Sequence, residues 1–251
     1  MDDLEWDSSH FGICVARLTP TDLSEEDLAS ALDRARRRGV QLIYWRAPCR
    51  RTIGDALLME FGGKRVVGYV MYSKEITAPS DPSLPSSELS YSIREAGRDP
   101  AEADRLRDLA ILSGEWSRFR LDPCIPKTAF EAMYALWILG SVRGDLADLV
   151  LVADDEQGMP VGLLTFATSS ATSTIGLVAT DPRCRGRGIA SGLSARAHRR
   201  MWDGGTRHCS VVTQTENRPA CDLYERLGYR RAEEGCHFHF WLDASHSGSR
   251  G

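Results

Sequence analysis

The sequence predicts an α/β protein: a mixed sheet with flanking helices, preceded by a small αβ N-terminal module. Three observations predict it. Short runs rich in β-branched and apolar residues alternate with longer segments whose apolar residues recur every third or fourth position. From Leu89 onward these segments follow the order strand, two helices, three strands, helix, strand, helix, strand. A stretch of prolines and serines at residues 77–87, with Pro79, Pro82 and Pro85, separates that series from residues 1–76 and reads as a linker.

In the first module, Leu4 to Leu18 ends in an alternating strand pattern. Ser24-Glu-Glu-Asp27 has the form of a capping box, and the helix it opens carries Leu28, Leu32 and Ala35 and stops at Gly39. A strand from Val40 to Trp45, a helix from about Thr52 to Glu60 and a strand from Arg65 to Tyr72 complete the module.

The second module, residues 88–243, opens with a strand from Leu89 to Ala96. Asp99-Pro100 supplies an N-cap and a first-turn proline for a helix to about Leu112. Glu115 to Lys127 reads as an irregular loop. Thr128-Ala-Phe-Glu131 then reads as a capping box before a helix with Phe130, Met133, Tyr134, Trp137 and Ile138 on one face, a core stripe. Strands follow at Asp148–Ala153 and Val161–Ala167, joined by a turn, and then at Ser173–Thr180. After a basic, glycine-containing turn comes a helix with Ile189, Leu193, Ala197 and Met201 at every fourth position. A strand at Ser210–Thr213, a helix to Leu227 and a strand from His237 to Leu242 finish the series. Residues 244–251 read as a disordered tail.

Composition narrows the function classes. Among 251 residues 42% are hydrophobic, enough for a real core. A net charge of −4 argues against wholesale nucleic-acid binding, because phosphate neutralisation needs a basic face and the arginine clusters here are local. No apolar run approaches the roughly 20 residues needed to cross a bilayer. The seven cysteines, Cys14, Cys49, Cys124, Cys184, Cys209, Cys221 and Cys236, show no C-x-x-C pairs or metal spacing. They read as reduced thiols of a cytoplasmic protein. His237 and His239 share a face of the last strand and read as packing or surface residues, not metal ligands.

The organising stretch is Leu177 to Ala190. Gly186 and Gly188 remove side chains where the backbone N–H groups of a helix start are still unpaired, so an anion can approach several of them with help from the helix dipole. Arg183, Arg185 and Arg187 add positive charge. The spacing is neither a P-loop, since no Lys-Ser/Thr follows, nor a dinucleotide fingerprint. Taken alone, the stretch also fits an ordinary basic turn.

Arg183-x-x-Gly186-x-Gly188 resembles the R/Q-x-x-G-x-G/A signature of the GNAT superfamily of acyl-CoA N-acyltransferases. Downstream, Asn217-x-x-Ala220-x-x-Leu223-Tyr224-x-x-x-Gly228-Tyr229 resembles a second element of that family, in the right order. The resemblance implies a GNAT fold from Leu89 onward, with a splayed, V-shaped sheet, acetyl-CoA as co-substrate and no metal. Backbone groups of Val178, Ala179 and Thr180 would flank the pantetheine arm. Arg183, Arg185, Gly186, Arg187, Gly188, Ile189 and Ala190 would hold the pyrophosphate, and Asn217 would contact the coenzyme.

The chemistry such a family performs needs an oxyanion donor, a proton donor for the departing thiolate and a route for the amine's proton. Tyr224 is the candidate acid, as a phenol normally protonated near pH 7; the competing reading is that it only packs. Glu95, Glu115, Glu131 and Glu216 are all open as general base.

For the acceptor, Trp116-Ser117-Arg118-Phe119-Arg120-x-x-Pro123, Trp137-x-x-x-x-Val142-Arg143-Gly144 and Val212-Thr213-Gln214-x-x-Asn217 are similar to segments of the family's nucleotide-sugar branch. Those enzymes acetylate the 4-amino group of a TDP-linked 4-amino-4,6-dideoxyhexose such as TDP-fucosamine. Arg118 and Arg120 suit a diphosphate through forked hydrogen bonds, and Phe119 could pack on a base or sugar. The expected partner is thus a nucleotide-linked amino sugar, with no nucleic acid and no membrane; an unpaired sheet edge leaves a homodimer open. Other amine acceptors and a non-catalytic coenzyme-binding module are the competing classes.

Overall fold

A computed structural model describes residues 1–78 and 91–242. The expected linker from residue 79 onward and the expected tail at 244–251 lie outside the described residues. The described chain runs β1 (Asp2–Asp3), α1 (Glu5–Phe11), β2 (Val15–Leu18), α2 (Glu25–Arg37), β3 (Leu42–Ala47), α3 (Asp55–Glu60), β4 (Gly63–Glu75), β5 (Ser92–Glu95), α4 (Pro100–Ser113), α5 (Arg118–Leu121), α6 (Lys127–Arg143), β6 (Leu149–Asp154), β7 (Pro160–Ser169), β8 (Thr172–Thr180), α7 (Ile189–Asp203), β9 (His208–Gln214), α8 (Arg218–Arg226) and β10 (Arg230–Trp241).

The described residues pack as two units, 1–69 with 234–242, and 70–78 with 91–233. The sequence boundaries of 1–76 and 88–243 differ from these. Proline and serine content marks a break in composition, whereas strand pairing decides which segments pack together. The end of β10 therefore joins the first unit, although it is remote from it in sequence.

In the first unit the strand order is β1-β2-β3-β10-β4, with β2 parallel to β3 and β10 antiparallel to it. α2 begins as its sequence indicates: the Ser24 hydroxyl accepts the Asp27 N–H at 3.0 Å. Leu28, Leu32, Trp45, Phe61 and Phe240 are fully buried in this unit's core. His237 and His239 are buried as well, packed on Tyr69 and Tyr44. The first helix, α1, lies where the sequence reading saw only a run into a strand. It is a two-turn segment closed by Gly12 at φ +68°, and it buries no residue, so periodicity had nothing to mark.

One sequence expectation is overturned here. The cysteines are not all reduced thiols: Cys49 and Cys236 form a disulfide, leaving five others free. The pair is 187 residues apart and has no motif. It becomes visible only once β10 pairs with β3, placing Cys236 opposite Ala47 at the strand end just before Cys49.

In the second unit the order is β4-β9-β8-β7-β6-β5, with β8 parallel to β9 and β5 to β8 antiparallel in sequence. Ile189, Leu193, Ala197 and Met201 of α7 pack with Leu151, Leu164, Phe166 and Ile175 on one face. Val150, Val152 and Leu163 alternate with those strand residues and are equally buried, so they point to the other face, where α4 and α6 pack together and against the sheet. α4 has the expected Asp99 N-cap and Pro100. Two details differ from expectation. The 115–127 loop contains the short helix α5. α6 starts at Lys127 with Pro126 at its N-cap, so Thr128 makes no cap and Glu131 instead pairs with Lys127 at 3.4 Å. Proline's fixed φ, here −58°, sets the turn one residue earlier than the capping-box pattern suggests.

Candidate active site

The site is built where two parallel strands separate. β8 and β9 pair only from Thr172–Ile175 to His208–Val211, yet β8 continues to Thr180 and β9 to Gln214. Beyond Ile175 the outer edge of β8 carries Val178, Ala179 and Thr180, still held by β7 on the inner side through Leu164, Leu163 and Gly162. The Thr180 hydroxyl is buried and lacks a hydrogen-bond partner among the described residues. An extended chain with amide groups fits such an edge, because strand backbone left unpaired seeks donors and acceptors.

At the end of β8 the chain turns through Asp181 and a single 3-10 turn, Pro182–Cys184, into the glycine loop. Gly186 and Gly188 sit at φ +79° and +78°, a left-handed conformation that a side chain would strain. A Cβ on Gly186 would meet nothing within 4 Å, so the loop faces open space there. Gly188 is the N-cap of α7 and provides no side-chain cap. The N–H groups of the first turn, at Ile189 and Ala190, are thereby left for an outside acceptor, at the positive end of a 15-residue helix. The Tyr91 hydroxyl donates to the Gly188 carbonyl at 3.2 Å and steadies the turn from below.

The three loop arginines do not share one role. Arg183 turns back on Asp181, with Nε at 3.0 Å and Nη2 at 2.7 Å from its carboxylate. That pairing lowers the Asp181 pKa to about 2. Arg183 thus braces the turn, while exposed Arg185 and Arg187 flank the glycines.

Asn217 is the N-cap of α8, its side chain accepting the Ala220 N–H at 3.4 Å and donating to Thr213 Oγ1 of β9 at 3.4 Å. Tyr224 follows two turns along and is only 4% exposed. Its ring lies 5.8 Å from that of Tyr72 and 5.6 Å from that of Tyr229. Burial pushes its phenol above the ordinary value near 10, so it carries its proton throughout the physiological range. Around it is a cluster that sequence reasoning missed. Tyr229 reaches His198 Nε2 at 2.7 Å and Cys209 Sγ at 3.3 Å, Tyr72 donates to Glu225 at 2.8 Å, and Lys74 bonds the Leu227 carbonyl. Tyr229 belonged to the quoted motif; Tyr72 and His198 come from distant elements and had no local signal.

Arg118, Phe119 and Arg120 lie on α5 in the same unit, after α4. Arg94 of β5 binds both Asp154, at the end of β6, and Glu102, in the first turn of α4; Arg105 donates to Gly158 in the hairpin between β6 and β7. Before α4, Arg98 donates to the Arg143 carbonyl at 2.8 Å and the Ala96 N–H to the Val150 carbonyl, so α4 starts at the end of the sheet where β6 begins, away from the glycine loop. Its 14 residues rise about 21 Å toward the end where Arg105 meets the β6–β7 hairpin, and α5 follows. Gly114 makes that turn tight, since a Cβ there would meet the Tyr134 ring at 2.3 Å. In α5 the Arg118 guanidinium lies 4.1 Å over the Phe119 ring, Ser117 caps the turn by accepting the Arg120 N–H at 3.3 Å, and Arg120 is exposed. One face of Phe119 is thus already covered, whereas Trp116 beside it is 41% exposed. Of the carboxylates left open as base, Glu95 pairs with Arg200 at 2.6 Å and Glu131 with Lys127, while Glu216 accepts from Thr215. Among the described residues, no group of three His, Cys, Asp or Glu is placed to hold a metal ion, and no helix is long and apolar enough to cross a membrane.

Residues 147–231, which include β6 to α8, match the family described as Acetyltransferase (GNAT) domain. The spore coat polysaccharide biosynthesis protein SpsD of Bacillus subtilis is 25% identical over 143 residues, covering 57% of this chain and 49% of that protein. N-alpha-acetyltransferase MAK3 of Arabidopsis thaliana is 40% identical over 55 residues, 22% of this chain and 29% of that protein. The chain thus spans about half, or less, of the curated relatives it matches. The crystal structure of a GCN5-related N-acetyltransferase from Sphaerobacter thermophilus superimposes with a TM-score of 0.55 at 20% identity, over 83% of this chain and 64% of that one. The fold is the GNAT fold, a mixed sheet with flanking helices, and the family match falls on residues 147–231 of it.

Proposed function

We propose that the protein is an acetyl-CoA-dependent N-acetyltransferase that acetylates the primary amine of a nucleotide-linked amino sugar, of the TDP-4-amino-4,6-dideoxyhexose (TDP-fucosamine) type. The observation that carries this reading is a coincidence at one end of β8: strands that have parted, and an α7 N-terminus without a side-chain cap behind two glycines of positive φ. N–H groups of Gly188, Ile189 and Ala190, with Arg185 and Arg187, bind the coenzyme's pyrophosphate, and Arg183 holds the turn through Asp181. The edge of Val178 to Thr180 aligns the pantetheine arm, and Asn217 fixes the start of α8 beside it. Acetyl-CoA supplies the activated acetyl group. Tyr224, kept protonated by burial, gives its hydrogen to the leaving sulfur.

For the acceptor, Arg118 and Arg120 of α5, reached after α4 has run toward the glycine-loop end of the sheet, receive the diphosphate of the nucleotide sugar through forked hydrogen bonds. A likeness to a spore coat polysaccharide protein supports an activated sugar over other amines. The likeness to an N-alpha-acetyltransferase over 55 residues favours a second reading, a peptide N-terminus. Incubation with acetyl-CoA and TDP- and UDP-linked amino sugars, free amino sugars, polyamines, an aminoglycoside and N-terminal peptides, read by mass spectrometry, separates them. Acetylation of the TDP-linked amino sugar is expected. Transfer only to peptides would move the assignment to the second reading, and binding of acetyl-CoA without transfer to any amine would leave a coenzyme-binding module.

A further inference from the structure

Three features of β7 and β8 meet at one point. Register between the strands shifts between Leu164 and Phe166, so that on β8 both Gly176 and Leu177 stand opposite the single residue Thr165. This is a β-bulge, in which an extra residue bends its strand and interrupts the ladder. The pairing of β8 with β9 stops at Ile175, immediately before the same two residues. The Thr165 side chain, 1% exposed, closes the gap that the bulge leaves: its Oγ1 accepts the Leu177 N–H at 2.9 Å, in place of a strand carbonyl.

We propose that Thr165 is a positioning residue: its hydroxyl latches the bulge in β8, and the latched bulge parts β8 from β9 and sets the cleft that receives the acyl-coenzyme. This rests on the function proposed above. Without the hydroxyl, the buried Leu177 N–H can be satisfied only if β8 moves back into register with β7. That movement shifts every β8 residue beyond the bulge, Val178 to Thr180 included, relative to α7 and its glycine loop. Gly176 is part of the same device. A Cβ there would come within 2.8 Å of Thr165 Oγ1, so glycine is what lets the hydroxyl reach across. Alternation alone would have read β8 as one regular strand.

The test uses the full chain with Thr165→Val, which keeps the shape and removes the hydroxyl, Thr165→Ser, which keeps the hydroxyl, and Gly176→Ala, which crowds it. Calorimetric titration with CoA, steady-state kinetics and amide exchange at Leu177 are compared, with thermal melting to confirm folding. The valine variant is expected to lose Leu177 amide protection and to bind CoA about ten-fold or more weakly, with turnover reduced as well, since small misplacements at a reacting centre cost up to about a hundred-fold. The serine variant restores both, and the alanine variant behaves like valine even if valine should fail to fold. Protection lost with unchanged coenzyme affinity and turnover would overturn the inference alone. A wild-type chain that binds no coenzyme would overturn the proposed function and this inference together.

Discussion

Replacing Tyr224 by Phe separates catalysis from packing. The contacts seen for this side chain are ring contacts, to Tyr72 at 5.8 Å and Tyr229 at 5.6 Å, and phenylalanine keeps them. The ring packing of a side chain 4% exposed is thereby kept, so the stability change is expected to stay within about 1.5 kcal/mol, the net worth of one hydrogen bond. Activity follows a different term. General acids contribute roughly 10²–10⁴-fold, but burial has pushed this phenol above 10, while a thiol ordinarily titrates near 8.5. Each unit of mismatch weakens proton donation by up to about ten-fold. The expected loss in kcat is therefore at the lower end, about ten- to hundred-fold, with the affinity for acetyl-CoA retained. The assay is CoA release detected with a thiol reagent, corrected for exposed Cys14 and Cys124, alongside calorimetric binding and a urea melt. A kcat within two-fold of wild type would refute the reasoning, as would a variant whose lost activity tracks a lost fold.

Arg118→Ala and Arg120→Ala are each expected to raise KM for the nucleotide sugar about ten-fold with little change in KM for acetyl-CoA, since a charge-assisted hydrogen bond contributes about 1.5–3 kcal/mol; unchanged KM in both would place the acceptor's phosphates elsewhere. Reducing the Cys49–Cys236 disulfide, or replacing Cys49 by Ser, reopens a loop of 187 residues, for which the chain-entropy relation gives a ceiling of about 5 kcal/mol. Denaturant unfolding with and without reductant measures it, and coincident curves would refute it. Burial, with Lys74 nearby, lowers His198 from 6.5 to about 4, so between those values the unfolded chain binds a proton that the folded chain does not. Stability is therefore lost as pH falls through that window, by at most about 3 kcal/mol, and His198→Gln should flatten the acid limb of a plot of Tm against pH. Parallel limbs in the two proteins would contradict this.

Much of the site was legible in the sequence because its signals are local. Two glycines before a helix, a proline after Asp99 and an asparagine before Arg218-Pro219 each act within one turn of backbone, so residue order alone set the glycine loop, the start of α4 and the N-cap at Asn217. The alternation of strand and helix was likewise readable, since side-chain period is a property of neighbouring residues. Tertiary structure decided what depends on which edges meet. The bulge at Thr165, the disulfide from Cys49 to Cys236, the packing of Tyr224 between Tyr72 and Tyr229, and the membership of the end of β10 in the first unit all join residues far apart in the chain. Arg183 pairs with Asp181 two residues earlier, a contact its place in the glycine-loop motif did not indicate. Local conformational preference is written in a few residues, whereas long-range pairing is chosen by the free energy of the whole packed chain.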